Sequence, residues 1–343
     1  MKKLLNTLYV STQGAYLHRD GECVVVEVEK QERLRTPIHM LGSIVCFGQV
    51  ACSPPLLGFC AESGVSVSFL SEGGRYWASV NGPVSGNVLL RRAQYRASED
   101  PAACVPIVRA IVAGKTANSR TVLQRALRDH GGKSDMSRVE NAVAWLSNRL
   151  RALEIATTVD ELRGIEGEVA RTYFGCFNDL IVAQREDFAF HERSRRPPLD
   201  PVNALLSFLY TLLVHDVRGA CESVGLDPQV GFLHRDRPGR PSLALDLMEE
   251  LRAPVADRLA LSLINLRQVS ATGFRKDAAG GITMDDDTRK TLLVAYQKRK
   301  QETLEHPFIE ETAPVGLVPF LQAQLLARHL RNDLDGYPPF LWK

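Results

Sequence analysis

The sequence predicts an α+β protein of two domains, a small N-terminal β-sandwich followed by a larger all-α domain. Three observations support this prediction. Residues 1–85 consist of short apolar runs, some of them alternating, that turn residues separate. From Leu89 onward the segments show helical periodicity and are rich in Ala, Leu and Arg. Between the two, residues 79–87 (SVNGPVSGN) are typical of a linker, so we place the domain boundary between residues 85 and 86.

The first domain is predicted to be a β-sandwich or meander with a single inserted helix. The predicted strands are Leu4–Val10, Ala15–Leu17, Cys23–Val28, Val65–Leu70 and Arg75–Val80. The dipeptide Asp20-Gly21 favours a hairpin between the second and third of these strands. Prolines near the start of Ser53–Glu62 and Gly64 after its end favour one small helix there.

The second domain is predicted to contain helices throughout. The predicted helices are 88–98, 101–113, 117–130, 136–154, 158–162, 165–190, 201–224, 243–252, 254–271, 285–301 and 315–332. The helix 201–224 has the clearest ends. Asp200 precedes Pro201, which is a typical cap followed by proline at the first helical position, and Gly225 supplies the stop.

Composition excludes several classes of protein. Lys and Arg number 42 against 40 Asp and Glu, so the net charge of +2 does not by itself indicate a nucleic-acid partner. The seven cysteines form no CxxC pair, which argues against a zinc ribbon or a disulfide framework and for a reduced cytoplasm. The longest apolar run, Ala204–Val214, is too short to cross a membrane. We expect a cytoplasmic protein without a signal peptide or membrane contact.

The stretch Gly231–Arg252 (GFLHRDRPGRPSLALDLMEELR) has the clearest chemical character. It places His234 in a basic loop and continues into a helix with an acidic face, which we expect to be exposed. The arginines of the loop are Arg235, Arg237 and Arg240, and the carboxylates of the face are Asp246, Glu249 and Glu250. A nitrogen ligand beside carboxylates and arginines suggests a metal site with room for phosphate. The alternatives are a structural histidine, a solvated basic loop and a solvated acidic face that Arg252 and Arg258 neutralise.

Glu166 is a further candidate because it lies on an apolar stripe. A helical projection groups it with Val169, Ala170, Tyr173 and Phe177. A carboxylate on such a stripe is costly unless it is paired or binds a metal. The alternative is that Glu166 favours the helix dipole or pairs with a neighbour such as Arg163.

The helix 201–224 carries polar side chains on an otherwise apolar face. Asn203, Ser207 and Tyr210 share this stripe with Val214. These side chains could support a metal site or stack on DNA, and they could equally be core polar residues with satisfied hydrogen bonds.

Four motifs in this order resemble one protein family. They are GIEG around Glu166 followed by Tyr173-Phe174, then PPLDPVNALLSFLYTLL, then GFLH, then SLALDLMEELR. Together they resemble the CRISPR-associated integrase and endonuclease family Cas1, and the likeness covers essentially the whole chain. The resemblance implies a β-then-α fold and a metal-dependent enzyme that cleaves DNA and inserts prespacer DNA into a CRISPR array.

The resemblance also implies which residues do the chemistry. Glu166, His234 and Glu249 would hold Mg²⁺ or Mn²⁺ and form the catalytic site. Glu250 would then meet solvent. The resemblance makes Asp246 a neighbour of the metal. Further candidates beside the metal or against DNA are Tyr173, Asn203, Tyr210, Arg235, Arg237, Arg240 and Arg258.

The partners follow from the same resemblance. Expected are double-stranded and branched DNA, namely prespacer and CRISPR repeat, a homodimer built partly through the β domain, and a Cas2 dimer. The ending RHLRNDLDGYPPFLWK is most similar to the subtype I-C branch, which implies a Cas4 partner. The alternatives are a structure-specific repair nuclease and a non-catalytic DNA-binding scaffold. A metalloprotease is disfavoured because the chain has no HExxH motif.

Overall fold

The computed structural model describes residues 6–72, 76–80, 82, 88–131 and 135–342. The chain divides into two compact units, the β unit (Met1–Gly86) and the helical unit (Asn87–Lys343). Most of the linker predicted at residues 79–87 lies outside the described residues, as do the predicted strand ends at residues 4–5 and 75.

The β unit contains two four-stranded sheets, one α-helix and one short 3₁₀ helix (Ile38–Met40) among its described residues. The strands are β1 (Asn6–Val10), β2 (Tyr16–Asp20), β3 (Cys23–Val28), β4 (Gln31–Pro37), β5 (Leu41–Phe47), β6 (Ala51–Cys52), β7 (Ser66–Leu70) and β8 (Tyr76–Val80). The first sheet has the order β1-β5-β7-β8 and the second the order β4-β3-β2-β6. Strands β1, β5 and β7 are parallel neighbours, whereas β2, β3 and β4 form an antiparallel meander.

Both sheets and helix α1 (Pro54–Glu62) share one core. Leu17 from β2, Ile44 from β5, Leu56 from α1 and Val67 from β7 are all fully buried in it. The Ser53 hydroxyl caps α1 by accepting the Leu56 backbone N–H at 3.3 Å. The predicted β-rich domain with one inserted helix is thus confirmed, while strands β4, β5 and β6 were not predicted.

The helical unit holds the remaining elements. Its helices are α2 (Val88–Glu99), α3 (Pro101–His130), α4 (Ser137–Ile155), α5 (Val159–Gly175), α6 (Pro201–Val224), α7 (Ser242–Leu251), α8 (Arg258–Asn265), α9 (Asp286–Gln301) and α10 (Val318–Leu330). It also contains two short hairpins, β9 (Phe274–Lys276) with β10 (Ile282–Met284) and β11 (Thr303–Glu305) with β12 (Thr312–Pro314). The unit is mostly helical, as predicted, but it is not all-α.

Helix α8 (Arg258–Asn265) is shorter than the predicted helix 254–271, and two further helices differ more in extent from the prediction. Helix α3 is continuous across residues 114–116, where the sequence predicted a break. Helix α5 begins at a capping box between Thr158 and Glu161, passes through Gly164, and ends at Gly175 rather than near residue 190. Both differences bear on the functional site, because each helix places a charged side chain there.

Helix α6 is the apolar centre of the helical unit. Asp200 caps it by accepting the Asn203 backbone N–H at 2.7 Å, and Gly225 ends it with a left-handed φ of 95°. By length and composition α6 could cross a membrane, yet more than half of its most apolar stretch is buried inside the unit. This burial is typical of a core helix.

Candidate metal centre

Three helices of the helical unit bring one charged side chain each to a common point. Lys115 of α3 contacts Glu166 of α5 and lies 2.8 Å from Glu249 Oε2 of α7. The Lys115 and Glu249 side chains are 10% and 1% exposed, whereas Glu166 is 25% exposed. Two carboxylates from separate helices are therefore drawn to one cationic group at the bottom of a partly open site.

His234 reaches this site from the loop before α7. Asp246 accepts the backbone N–H groups of Phe232, Leu233 and His234 at 2.6, 2.9 and 2.9 Å. Its Oδ1 also lies 2.6 Å from His234 Nδ1. A Cβ on Gly231 would stand 2.8 Å from Asp246 Oδ2, so glycine is needed for this close approach. Asp246 thus fixes both the loop and the imidazole ring.

The hydrogen bond to Asp246 decides which ring nitrogen of His234 is available. With the proton on Nδ1, Nε2 keeps its lone pair. Nε2 lies 3.7 Å from Glu249 Oε1, inside the cluster. Arg163 of α5 supports the arrangement by donating to the Leu233 carbonyl at 2.6 Å. Arg163 therefore braces the histidine loop and is not the partner of Glu166.

Glu249 is buried and ionised. Burial alone would raise its pKa, but the cations of Arg252 and Lys115 outweigh burial and lower the pKa to about 2. Arg252 Nη1 lies 2.6 Å from Glu249 Oε1. Glu249 Oε2 receives no hydrogen bond of normal geometry, although it faces Lys115. This buried carboxylate oxygen is therefore suited to a cation, and the Lys115 ammonium faces it here.

The donor set fits a divalent cation. As the side chains stand, no three His, Cys, Asp or Glu residues in the described part of the chain converge closely enough to hold an ion. The Lys115 ammonium lies instead between Glu166 and Glu249 and occupies the place of a cation. Two carboxylates and one imidazole nitrogen are ligands that Mg²⁺ or Mn²⁺ accepts.

The acidic face of α7 is buried, so its predicted exposure is wrong. Asp246, Glu249 and Glu250 are 0%, 2% and 0% exposed. The prediction that Glu250 meets solvent is wrong for the same reason. The error is physical, since a carboxylate can lie inside a protein when hydrogen-bond donors or cations face it.

Glu250 faces the C-terminal tail (residues 336–342). Its Oε2 accepts the Phe340 backbone N–H at 2.7 Å and Gln322 Nε2 at 2.9 Å, and its Oε1 accepts Tyr337 Oη at 2.9 Å. Burial raises the pKa of Glu250 to about 8, although these hydrogen bonds act in the opposite direction. The tail and α7 are therefore joined through a carboxyl group that is mostly uncharged at neutral pH.

Tyr210 and Tyr173 lie behind the metal centre, around Asp257. Tyr210 Oη donates to Asp257 Oδ1 at 2.6 Å, and burial raises the pKa of Asp257 to about 6. Tyr173 Oη is buried without a hydrogen bond of normal geometry. The Arg252 guanidinium lies 5.2 Å from the centre of the Tyr210 ring.

The backbone between α7 and α8 explains how this network forms. Residues Arg252–Asp257 adopt a π-helix, an irregularity that is frequent at functional sites. One end of this segment directs Arg252 to Glu249 and the other directs Asp257 to Tyr210. The tyrosines thus contact the support of the site, and neither touches the ligand candidates directly.

Asn203 and Arg258 lie elsewhere in the helical unit. Asn203 is fully buried, accepts from Arg193 at 2.6 Å and donates to the Glu192 carbonyl at 2.8 Å. Of the two alternatives for Asn203, the contacts fit a core polar residue whose hydrogen bonds are satisfied. The Arg258 guanidinium lies 5.6 Å from the centre of the Trp342 ring in the C-terminal tail.

The basic loop (residues 235–240) is open to solvent. Arg235 and Arg237 are exposed and Arg240 is half-buried. Arg235 Nη2 lies 3.3 Å from Asp160 Oδ1, while neither Arg237 nor Arg240 forms an ion pair within the described ranges 88–131 and 135–342. Their positive charge is free to act on an anionic partner near His234.

Sequence reasoning did not assign Lys115 to the site. The signal was present, because this lysine follows Ile111 and Val112 on a helix and is followed by the buried Asn118. A lysine inside such a stretch must find a buried carboxylate. The predicted helix break at residues 114–116 concealed that pattern.

Comparison with known proteins identifies the family. The family described as "CRISPR associated protein Cas1" matches residues 8–298. The chain is 58% identical to "CRISPR-associated endonuclease Cas1 2" of Rhodospirillum rubrum and 55% identical to "CRISPR-associated endonuclease Cas1 1" of Chlorobaculum tepidum. Each match covers 100% of both proteins. A Cas4 exonuclease/Cas1 endonuclease fusion of Geobacter sulfurreducens is 34% identical over 97% of this chain and 60% of its own length.

Solved structures show the same fold. A casposase bound to its integration product has a TM-score of 0.84 at 22% identity, covering 99% of this chain and 95% of its own. A chain of a Cas6-RT-Cas1–Cas2 complex has a TM-score of 0.84 at 23% identity, covering 100% of this chain and 36% of its own. With the full-length matches above, these findings show that the chain belongs to the Cas1 family of CRISPR-associated endonucleases.

Proposed function

We propose that the helical unit binds Mg²⁺ or Mn²⁺ through Glu166, His234 and Glu249, and that this centre cleaves and joins phosphodiester bonds of DNA. One observation carries the assignment. Carboxylates from α5 and α7 meet at a single cationic group, and the free Nε2 of His234 lies 3.7 Å from Oε1 of the same Glu249. The chemistry that such an ion supplies when bound is polarisation of the scissile phosphate and activation of the attacking hydroxyl or water.

The chain's own residues prepare this centre. Asp246 holds the His234 ring so that Nε2 keeps its lone pair, a partner that metal-binding histidines commonly need. Arg252 neutralises part of the charge of Glu249, which lets that carboxylate stay ionised while buried. Arg237 and Arg240 extend a positive surface beside the histidine, suited to the DNA backbone.

The identity of the nucleophile separates cleavage from integration. When water attacks, the phosphodiester is hydrolysed. When the 3′-hydroxyl of a prespacer strand attacks, a new P–O bond joins that strand to the repeat. The bond between phosphorus and the 3′-oxygen of the repeat strand breaks, and that oxygen takes up a proton. We propose integration as the physiological direction, in keeping with the structural likeness to a casposase that was solved with its integration product.

The proposal extends to domains and partners. The β unit would support a homodimer and the helical unit the catalysis, with a Cas2 dimer joining two such dimers. The Cas1–Cas2 complex and the Cas4–Cas1 fusion among the similar proteins support Cas2 and Cas4 as partners. We also propose the subtype I-C branch, and a cytoplasmic location that suits seven cysteines without a disulfide.

The metal centre is tested by cleavage of branched DNA with Mn²⁺. Glu166→Gln and His234→Ala should each lower the cleavage rate at least ~100-fold, because each removes a proposed ligand. Glu168→Gln is the matched control, since Glu168 lies two residues along α5 and pairs with Arg149 at 3.4 Å. Full activity of Glu166→Gln at saturating Mn²⁺ would contradict the assignment and favour a non-catalytic scaffold.

Integration is separated from repair-type cleavage by a joining assay. Labelled prespacer is incubated with a repeat-containing plasmid, Mn²⁺ and the Cas2 partner. Covalent transfer of label to the plasmid supports the integrase. Cleavage of branched DNA without any transfer would instead favour a structure-specific repair nuclease.

The homodimer is tested by static light scattering at micromolar concentration. A mass near twice that of the 38.0 kDa chain is expected. A strict monomer would contradict the proposed assembly.

A further inference from the structure

Lys115 is the one member of the central cluster that the proposed function leaves without a role. Its ammonium group lies between Glu166 and Glu249, near the middle of α3, and the residue is 8% exposed. Burying an ammonium group is costly unless carboxylates compensate for it. Lys115 and the two glutamates therefore stabilise one another in the metal-free protein.

The backbone that carries Lys115 is held firmly against α7. A Cβ on Gly114 would stand 3.0 Å from Glu250 Cγ, so the two helices are in close contact. Asn118 Nδ2 donates to the Glu250 carbonyl at 2.7 Å and to the Phe340 carbonyl at 2.8 Å. Because α3 is fixed on both sides of Lys115, the ammonium group can leave the glutamates only by rotation of its own flexible stem.

The position of the ammonium conflicts with the proposed metal site. Lys115 contacts one carboxylate oxygen of each proposed acidic ligand, Oε1 of Glu166 and Oε2 of Glu249. A divalent ion and an ammonium at that point would repel each other strongly in a poorly solvated site. Entry of the ion thus requires the ammonium to move, and the more exposed Glu166 side offers it room.

We propose that Lys115 is a built-in competitor of the divalent cation. Its ammonium group holds Glu166 and Glu249 together while the site is empty of metal, and it is displaced when the ion binds. The inference rests on the proposed function, because it assumes that these two glutamates are metal ligands. Lys115 is on this view a positioning residue that lowers the affinity of the site for the metal.

The proposal is tested by direct measurement of Mn²⁺ binding to the DNA-free full-length protein, by electron paramagnetic resonance of free Mn²⁺. Lys115→Met should bind Mn²⁺ about tenfold more tightly than the wild type, because the ion no longer has to displace a cation. Lys115→Arg retains a cation and should stay within about threefold of the wild type. The exposed Lys298 of α9 provides the matched control, and Lys298→Met should leave the affinity unchanged.

Thermal unfolding supplies a second readout. Without metal, Lys115→Met should have a lower melting temperature than the wild type, since two glutamates lose their shared counter-charge. Mn²⁺ should raise the melting temperature of the variant by more than it raises that of the wild type. A merely structural lysine would not show tighter Mn²⁺ binding on removal. Should Lys115→Met fail to fold, Lys115→Gln takes its place, with the same expected direction.

The outcomes distinguish the two proposals. Equal or weaker Mn²⁺ binding by Lys115→Met overturns the competitor role if the wild type binds Mn²⁺ and Glu166→Gln does not. If the wild type and Glu166→Gln bind Mn²⁺ alike, the metal site itself is wrong and the competitor role falls with it.

Discussion

Glu250→Gln tests the connection between α7 and the C-terminal tail. In the folded protein burial raises the pKa of Glu250 to about 8, against an ordinary value of 4.5. The hydrogen bonds from Phe340, Gln322 and Tyr337 do not prevent this rise. Glutamine has nearly the same shape. Its oxygen can accept from Phe340 and Gln322, and its amide can donate to Tyr337 Oη.

The sign of the pH effect follows from proton binding. The folded state keeps a proton on Glu250 between the ordinary pKa of 4.5 and the raised pKa of about 8, where the unfolded chain has lost it. The stability that this proton provides is fully present below the unfolded pKa and is lost as pH rises through the folded pKa. At ~1.4 kcal/mol for each pH unit, the interval sets a ceiling of ~5 kcal/mol. Glutamine has no proton to lose and should remove this dependence.

The assay is urea unfolding of wild type and Glu250→Gln between pH 5 and pH 9, followed by far-ultraviolet circular dichroism. The variant should gain stability relative to the wild type as pH rises, by ~2 to 5 kcal/mol over this range. The exposed Glu154 of α4 gives the control, and Glu154→Gln should leave the pH profile unchanged. A constant difference between Glu250→Gln and wild type at every pH would refute the argument, because it would mean that Glu250 is ionised throughout.

Three further predictions concern the centre and the basic loop beside it. Asp246→Asn should weaken Mn²⁺ binding by ~10–100-fold, because it removes the acceptor that orients His234. Titration calorimetry measures this affinity, and an unchanged affinity would exclude the orienting role of Asp246. Arg252→Met should lower the free energy of unfolding in urea by ~3 kcal/mol, because Glu249 stays buried with less counter-charge; a loss below ~1 kcal/mol would contradict this. Arg237→Ala should reduce the slope of log DNA affinity against log salt by ~1 in fluorescence anisotropy, and an unchanged slope would place this arginine away from the phosphates.

The parts of the fold that could be predicted are those with local causes. The change from alternating to helical periodicity near residue 88 is visible in any short window. Helix α6 was predicted with the correct bounds, because its start and stop signals are adjacent to it in sequence. Asp200 caps its first turn and Gly225 ends its last. Helices α3 and α5 were divided wrongly because glycines that break isolated helices are tolerated where tertiary packing favours the helix.

The site was predictable only in part, since its causes are not local. His234 could be grouped with α7 from the sequence, because its partner Asp246 is only 12 residues away. The burial of Glu250 depends on Phe340, which is 90 residues away. The Lys115 pair with Glu166 spans 51 residues. A helical projection shows which side chains share a face, but it cannot show what packs against that face.

Helix α7 shows how the surroundings give three neighbouring carboxylates three different roles. Backbone N–H groups and an imidazole surround Asp246, so it orients the His234 ring. Glu249 meets the cations of Lys115 and Arg252, one at each carboxylate oxygen, and stays ionised. Glu250 meets neutral donors only, so burial keeps its proton in place. Because Glu250 is uncharged at neutral pH, it adds no repulsion to the charge of Glu249 next to it. The attraction for a cation is therefore concentrated on the Glu249 side of the helix, where Glu166 and His234 meet it.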